Sequence, residues 1–352
     1  MPRRAGVTIS TGTPSLTKAE RQGATPVVTA VEPARVIEGG RLVLRGAFDP
    51  DTLPPRVTIG GVHARVSASS PSRVALFVPE GVEGPDLPLI IEGEDTDRTV
   101  TVGRVWATGL HQVDSPVFGH DGALLLTYSG SRGQETPVSV FRVVEQGTRE
   151  SYCTGISNAT SLAVGPDGAL HVSSRFEGTV SRVDADGSHE VVARDLGAAC
   201  GMAFDASGAL FVGDRGGRIL RVQDGQIETF ASLPPSVVAY HLAFDPTGDL
   251  LVTGPTLSTC DPIYRITPER VVTQLPWMFG RPQGLTFGPD GALYVVDALA
   301  GASAVYRLVE GQAPQRVVSG AGLVGLAFGP EGQMVVCSGS TAYWFDPVNS
   351  VA

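Results

Sequence analysis

Polar side chains that could bind a ligand stand at matching places in several similar stretches of this 352-residue sequence. Asp114, Tyr240 and Gln283 each lie eight residues before a glycine that ends a predicted turn. His241 follows Tyr240 directly. A carboxylate, a phenol, an amide and an imidazole brought together offer donors and acceptors to a polar ligand, and an imidazole can also act as a general base near neutral pH. Asp114 and His241 are therefore the candidate catalytic residues.

A second set of candidates follows the next predicted strand. Asp214 and Asp297 end that strand in two of the stretches, and the loops nearby carry Arg175 and Arg281. Because the two strands are predicted to run antiparallel, both sets should face the same end of the assembly. Arginines beside carboxylates suit an anionic or sugar-like ligand, or a protein partner with such a side chain. The predicted ligand-binding residues are Asp114, Arg175, Asp214, Tyr240, His241, Arg281, Gln283 and Asp297.

The elements that must position these residues repeat along the chain. An apolar run, a turn ending in glycine and a second apolar run occur six times, most plainly as VGPDGALHVSS (164–174) and FGPDGALYVVD (287–297). A third short strand follows in each copy and a fourth in most. Four strands in about 40 residues are typical of a β-propeller blade, so the sequence predicts six blades. The turn glycines are Gly122, Gly168, Gly208, Gly248, Gly291 and Gly332.

The two ends of the repeat region predict how the ring closes. The sixth repeat stops after its third strand, and a strand of similar pattern, GRVWATGL (103–110), precedes the first repeat. Pairing of that strand into the last blade would remove the exposed strand edges of an open array. The sequence therefore predicts a propeller closed by a strand N-terminal to its first blade.

Residues that recur in every repeat are predicted to serve the scaffold rather than a site. An arginine occupies one position of the third strand in five repeats, and Trp344 takes that position in the sixth. A single axial site has no use for five equivalent arginines, so these residues are predicted to bridge strands or neighbouring blades. They are Arg142, Arg182, Arg221, Arg265 and Arg307.

The first hundred residues follow a different pattern. Residues 1–24 are polar and predicted to form a mobile tail. Residues 25–103 contain short alternating runs such as RLVLRG, RVTIGG and LPLIIEG, separated by Gly, Pro and Asp, which predict a small β-sandwich. Residues 104–352 form the predicted propeller. The predicted fold class is therefore all-β, with a small immunoglobulin-like sandwich followed by a six-bladed propeller.

Both regions resemble known families. PARVIEGGRLVLRGAFDP and VTIGGVHARV resemble an IPT/TIG domain, with its double glycine at Gly39–Gly40 and its hairpin at Gly60, Gly61, Ala64 and Val66. Residues 104–352 resemble NHL-type and gluconolactonase (senescence-marker)-type six-bladed propellers. The second resemblance implies lactonase activity and one divalent cation, Ca²⁺ or similar, at the end of the channel. Asp114 stands where that family has a metal-binding Glu, whereas Thr160, Cys200 and Tyr240 depart from its other ligands.

Charge and composition limit the partners and the location. Residues 1–104 hold 12 Lys and Arg against 12 Asp and Glu, whereas residues 105–352 hold 14 against 24, so the net charge of −10 falls on the propeller. An acidic propeller without a basic aromatic stripe argues against nucleic-acid binding. No apolar run is long enough to span a membrane. Without an apolar signal stretch or a C-x-x-C motif, a cytoplasmic location is expected; an export signal missed through a wrongly assigned start stays open.

Three functions remain open at this point. The first is a binding propeller that holds a small molecule, a peptide or a protein at the top of its central channel, with the IPT/TIG module as spacer or docking unit. The second is a lactonase-like, metal-dependent hydrolase with an altered metal site around Asp114. The third is a purely structural interaction module. A bound cation with several protein oxygens would favour the second function, and a channel filled by its own side chains would favour the third.

Overall fold

The computed structural model describes residues 26–113 and 115–347, and this part of the chain is built almost entirely of β-strands. It contains 32 strands and one short 3-10 helix, Pro50–Thr52. In these residues no helix has the length and apolar character needed to cross a bilayer. The all-β prediction is confirmed. The predicted tail at residues 1–24 and the candidate Asp114 lie outside the described residues.

Residues 27–102, called here the N-terminal β region, pack around one apolar cluster that includes Leu44, Leu76 and Leu89. Apolar residues of the strands supply this cluster, as in β3, where Leu42 and Leu44 are fully buried. The strands are β1 (Val27–Glu32), β2 (Arg35–Val36), β3 (Arg41–Ala47), β4 (Val57–Ile59), β5 (Val62–Ser70), β6 (Arg73–Phe77), β7 (Gly84–Ile91) and β8 (Glu94–Val102). The next strand, β9 (Arg104–Ala107), belongs to the propeller-like part.

Four of the repeats form separate sheets of four antiparallel strands in chain order. The first two sheets contain β10 (Val117–Phe118), β11 (Leu124–Thr127), β12 (Val140–Val143) and β13 (Glu150–Cys153), then β14 (Ala159–Val164), β15 (Leu170–Ser174), β16 (Thr179–Val183) and β17 (His189–Ala193). The next two contain β18 (Ala199–Phe204), β19 (Leu210–Asp214), β20 (Arg218–Gln223) and β21 (Gln226–Ser232), then β22 (His241–Phe244), β23 (Leu250–Thr253), β24 (Asp261–Ile266) and β25 (Val272–Phe279).

The fifth repeat has the same strand order but is not a separate sheet. Its strands are β26 (Pro282–Phe287), β27 (Leu293–Asp297), β28 (Ala304–Leu308) and β29 (Gln315–Ser319). The outermost strand, β29, pairs in parallel with β2, which also pairs in parallel with β8, so this repeat continues into a sheet of 12 strands. Counting the sheet of the last repeat, the described residues form five separate sheets of four strands, where the sequence predicted six blades.

The last repeat is completed by a strand from before the first one, as the sequence predicted. It contains β30 (Leu323–Phe328), β31 (Met334–Ser338) and β32 (Ala342–Phe345). β9 pairs antiparallel with β32, with Ala107 opposite Ala342 and Val105 opposite Tyr343. The pairing covers the edge that β32 would otherwise expose.

The N-terminal β region packs onto the propeller-like part through Ile37. This side chain is 1% exposed and belongs to a cluster with Val305, Val318 and Leu323. A Cβ atom on Gly320 would lie 2.4 Å from Cγ1 of Ile37, so a glycine is needed for this close contact. The Tyr343 hydroxyl donates to Glu38 Oε1 at 3.2 Å beside it. The pairing of β2 with β29, the buried Ile37 side chain and hydrogen bonds such as Tyr343–Glu38 thus join the two parts.

The repeated arginines have the structural role that repetition predicted. Three of the five bridge the third strand of a repeat to the turn of the same repeat, at 2.7 Å for Arg142–Asp121, 3.1 Å for Arg182–Asp167 and 2.6 Å for Arg307–Asp290. Arg221 instead pairs with Glu228 on the fourth strand of its repeat at 3.5 Å, and Arg265 lies 3.6 Å from Asp249. The six turn glycines have φ angles between 75° and 93°, in the left-handed region that favours glycine. In the three repeats where the arginine reaches the turn, the two together hold the hairpin in shape.

Candidate functional site

The innermost strands of all six repeats surround a channel of about 290 Å³. Side chains two apart on a strand face the same side, so the channel is lined in successive levels. The level where the strands begin contains Ser115, Ser161, Gly201, His241 and Gly284. The next level contains Val117, Ala163, Ala203, Ala243, Thr286 and Ala327. Small side chains at most positions of these two levels keep the channel open around His241.

The His241 side chain is the main polar feature of the channel. Its Nδ1 atom lies 3.5 Å from the hydroxyl of Ser115, which stands just before the innermost strand of the first repeat, three repeats away, so the imidazole reaches across the channel. Its Nε2 atom is buried and has no hydrogen-bond partner among the described residues. Burial lowers the pKa of His241 from 6.5 to about 4, so the ring is neutral at neutral pH. The channel therefore presents an uncharged imidazole with one nitrogen unsatisfied.

Thr160 and Tyr240, which stand just before this level, do not line the channel. Because side chains alternate along the chain here, Tyr240 packs into the apolar cluster between the third and fourth repeats, and its hydroxyl donates to the Pro234 carbonyl. Burial raises the pKa of this phenol. The Thr160 hydroxyl donates to the Asn158 carbonyl at 2.8 Å. Among the candidates that lie eight residues before a turn glycine, Tyr240 is thus separated from His241, although the two are adjacent in sequence.

Gln283 is buried and does not line the channel either. Its backbone carbonyl accepts a hydrogen bond from the Thr253 hydroxyl at 2.5 Å, which ties its strand to the preceding repeat. Asp114, the third candidate eight residues before a turn glycine, lies outside the described residues.

Asp214 and Asp297 hold loops together. Asp214 Oδ1 accepts from the backbone N–H groups of Ala198 at 3.0 Å and Gly216 at 3.1 Å, and its Oδ2 accepts from Arg218 Nε at 2.8 Å. Asp297 accepts from the Arg281 N–H at 2.7 Å and from two further amides. Neither carboxylate lines the channel. Both aspartates end the second strand of their repeat. Because a residue that recurs at one place in the repeats tends to serve the scaffold, this recurrence could have indicated their role.

The two candidate arginines lie in loops outside the channel. Arg175 is partly exposed and donates through Nη2 to the side-chain oxygen of Gln112. Arg281 is exposed. Of the eight predicted ligand-binding residues, His241 is therefore the one that lines the channel among those described. Ser115 and Ser161, which share its level, were not among the predicted site residues. Each lies seven residues before its turn glycine, as His241 does, so the repeat could have placed them beside His241.

A divalent cation does not match the residues described at this site. Ca²⁺ takes six to eight oxygen ligands, most of them carboxylates and carbonyls. The channel level around His241 offers an imidazole and two serine hydroxyls. Throughout residues 26–113 and 115–347, no group of three or more His, Cys, Asp or Glu side chains could hold a metal ion. The ligand set implied by the gluconolactonase resemblance is not found in this part of the chain.

Comparisons with known proteins identify the fold. No family model and no curated protein matches the sequence. A solved auxiliary nutrient binding protein from Bacteroides thetaiotaomicron VPI-5482 is 12% identical, with 92% of this chain and 98% of that chain covered and a TM-score of 0.52. A gluconolactonase-like structure is 18% identical, with 69% and 90% covered and a TM-score of 0.56. A streptogramin B lyase is 14% identical, with 67% and 94% covered and a TM-score of 0.51.

These relatives share an architecture with the chain but little sequence. The gluconolactonase-like protein and the lyase match over about the length of the propeller-like part alone. The nutrient binding protein covers more of the chain than residues 104–352 could supply, so its likeness extends into the N-terminal β region. At these identities the likeness shows the fold and not the activity. The chain is a β-propeller protein.

Proposed function

We propose that this protein binds a small, uncharged, polar molecule in its central channel, against His241. The observation that carries the proposal is the buried Nε2 of His241, which lacks a hydrogen-bond partner among the described residues. Leaving a buried polar group unsatisfied costs about 1–3 kcal/mol, and proteins usually satisfy such a group with a partner, a water molecule or a ligand. A hydroxyl or carbonyl group of a ligand would supply the missing bond.

The chemistry of the channel favours a neutral ligand. The ring of His241 is uncharged near neutral pH because burial lowers its pKa to about 4. The rest of its level contributes the hydroxyls of Ser115 and Ser161 and the small surfaces of Gly201 and Gly284. Hydroxyls and a neutral imidazole can donate hydrogen bonds to alcohols and amides and accept hydrogen bonds from them. A charged ligand would lose its hydration in the channel and find no opposite charge there among these groups to offset that cost. A polyol, a sugar or a small amide fits this description.

We further propose the finer architecture that the sequence predicted. The strands β26–β29 have the order and pairing of the separate four-stranded sheets, so we assign them as a blade and the ring as six-bladed. We assign residues 25–103 to an immunoglobulin-like IPT/TIG module that serves as spacer or docking unit. Its own apolar cluster supports this division, as does the nutrient binding protein, whose likeness extends over both parts.

The hydrolase alternative is supported only by the similarity of the fold to that of the gluconolactonase-like structure. The gluconolactonase-like neighbour has the same architecture, but the described channel residues do not form the oxygen-rich cation site that such chemistry would use. The third alternative, a purely structural module, requires no open channel and no unsatisfied polar group. A channel of about 290 Å³ around His241 therefore favours binding.

A thermal-shift screen with matched histidine variants tests the proposal. Neutral sugars, polyols and small amides are added to the wild-type protein, to His241→Gln and to His171→Gln. His171 is a second buried histidine outside the channel, whose Nδ1 contacts the Ala169 carbonyl. A ligand at about 100 times its Kd should stabilise the wild type by about 2.7 kcal/mol. We expect His171→Gln to keep this shift and His241→Gln to lose it; equal shifts in both variants would exclude the channel site.

A further inference from the structure

A second cavity, of about 480 Å³, lies where the N-terminal β region meets the fifth repeat. Arg41, Arg73 and Phe77 line it from the N-terminal side. Arg316 and the loops 298–303 and 319–322 line it from the propeller side. We call this cavity the junction cleft. It shares no lining residue with the central channel, so it is a separate space.

The charged residues that line the junction cleft are all arginines. Arg41, Arg73 and Arg316 have no Asp or Glu beside them in the cleft wall, and none of them forms an ion pair within the described part of the chain. Other arginines are neutralised: Arg142 pairs with Asp121 and Glu150. A group of uncompensated cations is notable in a chain with a net charge of −10.

Arg41 carries the strongest local signal. Its Nε atom is buried and has no hydrogen-bond partner among the described residues. Its backbone is fixed, because the Ser319 hydroxyl donates to the Arg41 carbonyl at 2.6 Å across the junction. A guanidinium stays charged at any pH a protein experiences, so its unpaired N–H cannot be relieved by loss of a proton. An acceptor from outside the chain would relieve it.

The other lining residues give the cleft a mixed wall of small, apolar and charged side chains. Arg316 is exposed, lines the cleft and is held beside Tyr306, with Nη2 donating to the phenol oxygen at 3.3 Å. Loop 298–303 contributes small side chains, including Ala300, Gly301 and Ala302. Phe77 adds an apolar wall next to the cations.

We propose that the junction cleft binds a compact oxyanion, a carboxylate or a phosphate group, through Arg41, Arg73 and Arg316. Planar guanidinium groups pair with the oxygens of either anion in bidentate fashion, which a single point charge cannot do. The arginines come from both sides of the junction, so a bound anion would also link the N-terminal β region to the fifth repeat. This site is distinct from the channel, where a neutral ligand is proposed.

Titration of the intact protein with two simple anions tests the proposal. Sodium phosphate and sodium malonate are compared with sodium chloride at equal ionic strength near neutral pH, by calorimetry and thermal unfolding. We expect saturable binding of at least one oxyanion, and the one that binds more tightly identifies the carboxylate or the phosphate source. Arg41→Gln and Arg316→Gln should each weaken Kd about tenfold or more, the scale expected for a charged anchor in a binding site.

The controls separate this site from general charge effects and from the channel. Arg45→Gln changes an exposed arginine on the same strand that is already paired with Glu32, so it should leave Kd within about twofold of the wild-type value. His241→Gln should also bind the oxyanion as the wild type does. Arg316 is exposed and its replacement should fold even if Arg41→Gln does not. No binding beyond chloride, or wild-type binding by Arg316→Gln and by any folded Arg41→Gln, would overturn the proposal.

Discussion

Tyr240 and His241 are neighbours in sequence with opposite environments, which shows how far single residues could be predicted. The repeat predicted that both stand where an innermost strand begins. Which of them faces the channel depends on strand alternation, and the prediction placed both there. The packing sends Tyr240 into an apolar cluster and leaves His241 across the channel from Ser115. The loss of solvent that lowers the pKa of His241 depends on all the surrounding strands, so it could not be predicted from local sequence.

The depressed pKa of His241 predicts a pH-dependent stability. The unfolded chain binds a proton at this histidine below about pH 6.5, whereas the folded protein binds it only below about pH 4. Between these values the unfolded state holds more protons, so the free energy of unfolding should fall as the pH is lowered from about 6.5 to about 4. For a shift of this size the loss is about 3 kcal/mol.

Denaturant unfolding at a series of pH values measures this effect. The wild type should lose about 3 kcal/mol more than His241→Gln over the same acid range, because the variant lacks the titrating group. The contribution of His171, whose pKa burial also lowers, is present in both proteins and cancels in the difference. Parallel pH profiles for the two proteins would show that the imidazole is not isolated from solvent.

Asp114 and Asp290 predict a contrast between a site residue and a turn residue. Asp114 precedes Ser115, and we predict that Asp114→Asn abolishes ligand stabilisation while the fold stays intact. Asp290→Asn should lower the free energy of unfolding by about 1 kcal/mol or less, because an exposed pair with Arg307 contributes little. Ligand-induced thermal shifts measure the first effect and denaturant unfolding the second. If Asp114→Asn kept the shifts while Arg175→Ala or Arg281→Ala removed them, the site would lie in the loops.

At the scale of elements, local patterns predicted the hairpins and missed the junction. Turns with a left-handed glycine and the arginine of the third strand are local signals, and both were read correctly. The two-residue strand β2 has no pattern of its own, and its pairing with β29 brings together segments far apart in sequence. Pairing of this kind is decided by the fit of whole surfaces, so the separate fifth blade predicted from the repeat appears as part of a larger sheet.

The contact between Ile37 and Gly320 predicts a strongly non-additive pair of substitutions. Ile37→Ala should destabilise the protein by about 2–5 kcal/mol, as expected for a buried aliphatic side chain. Gly320→Ala should also destabilise it, because the new Cβ would lie 2.4 Å from Ile37 Cγ1. The double variant removes the atoms that the new methyl group would meet. Its loss should therefore be smaller than the sum of the single losses, by about 0.5–3 kcal/mol.

Denaturant unfolding of the wild type, the two single variants and the double variant completes this cycle. Leu44→Ala is the matched control, since Leu44 is fully buried in the separate cluster of the N-terminal β region. Its effect should simply add to that of Gly320→Ala. Additive losses for Ile37→Ala and Gly320→Ala would contradict the contact.

At the scale of the whole molecule, the ring closure could be predicted because each repeat needs four strands and the last one supplies only three. A last repeat that lacks its fourth strand and an extra strand before the first repeat are complementary, and β9 pairs with β32 accordingly. The sequence contained no equally simple count for the binding site. A site built once has no internal repeat to reveal it, and its residues are recognised only after the strands are placed around the channel.

Closure predicts different outcomes for two N-terminal deletions. Removal of residues 1–98 leaves β9 in place, and this protein should still unfold cooperatively, although at a lower Tm because Ile37 is lost from its cluster. Removal of residues 1–112 takes β9 away and exposes the edge of β32. Calorimetric melting and light scattering should then show a broad transition and aggregation. If both deletions melt equally well, β9 does not close the ring.

The pairing of β9 with β32 also has a consequence for synthesis of the protein. β9 is made before any of the repeats, and β32 is the last strand of the repeats to leave the ribosome. β9 therefore stays without its partner strand while the repeats are translated, and the ring can close only after β32 has emerged from the ribosome. A product cut short anywhere before β32 keeps that edge exposed, where chaperones and proteases can recognise it. Closure of the ring therefore requires that every repeat has been translated.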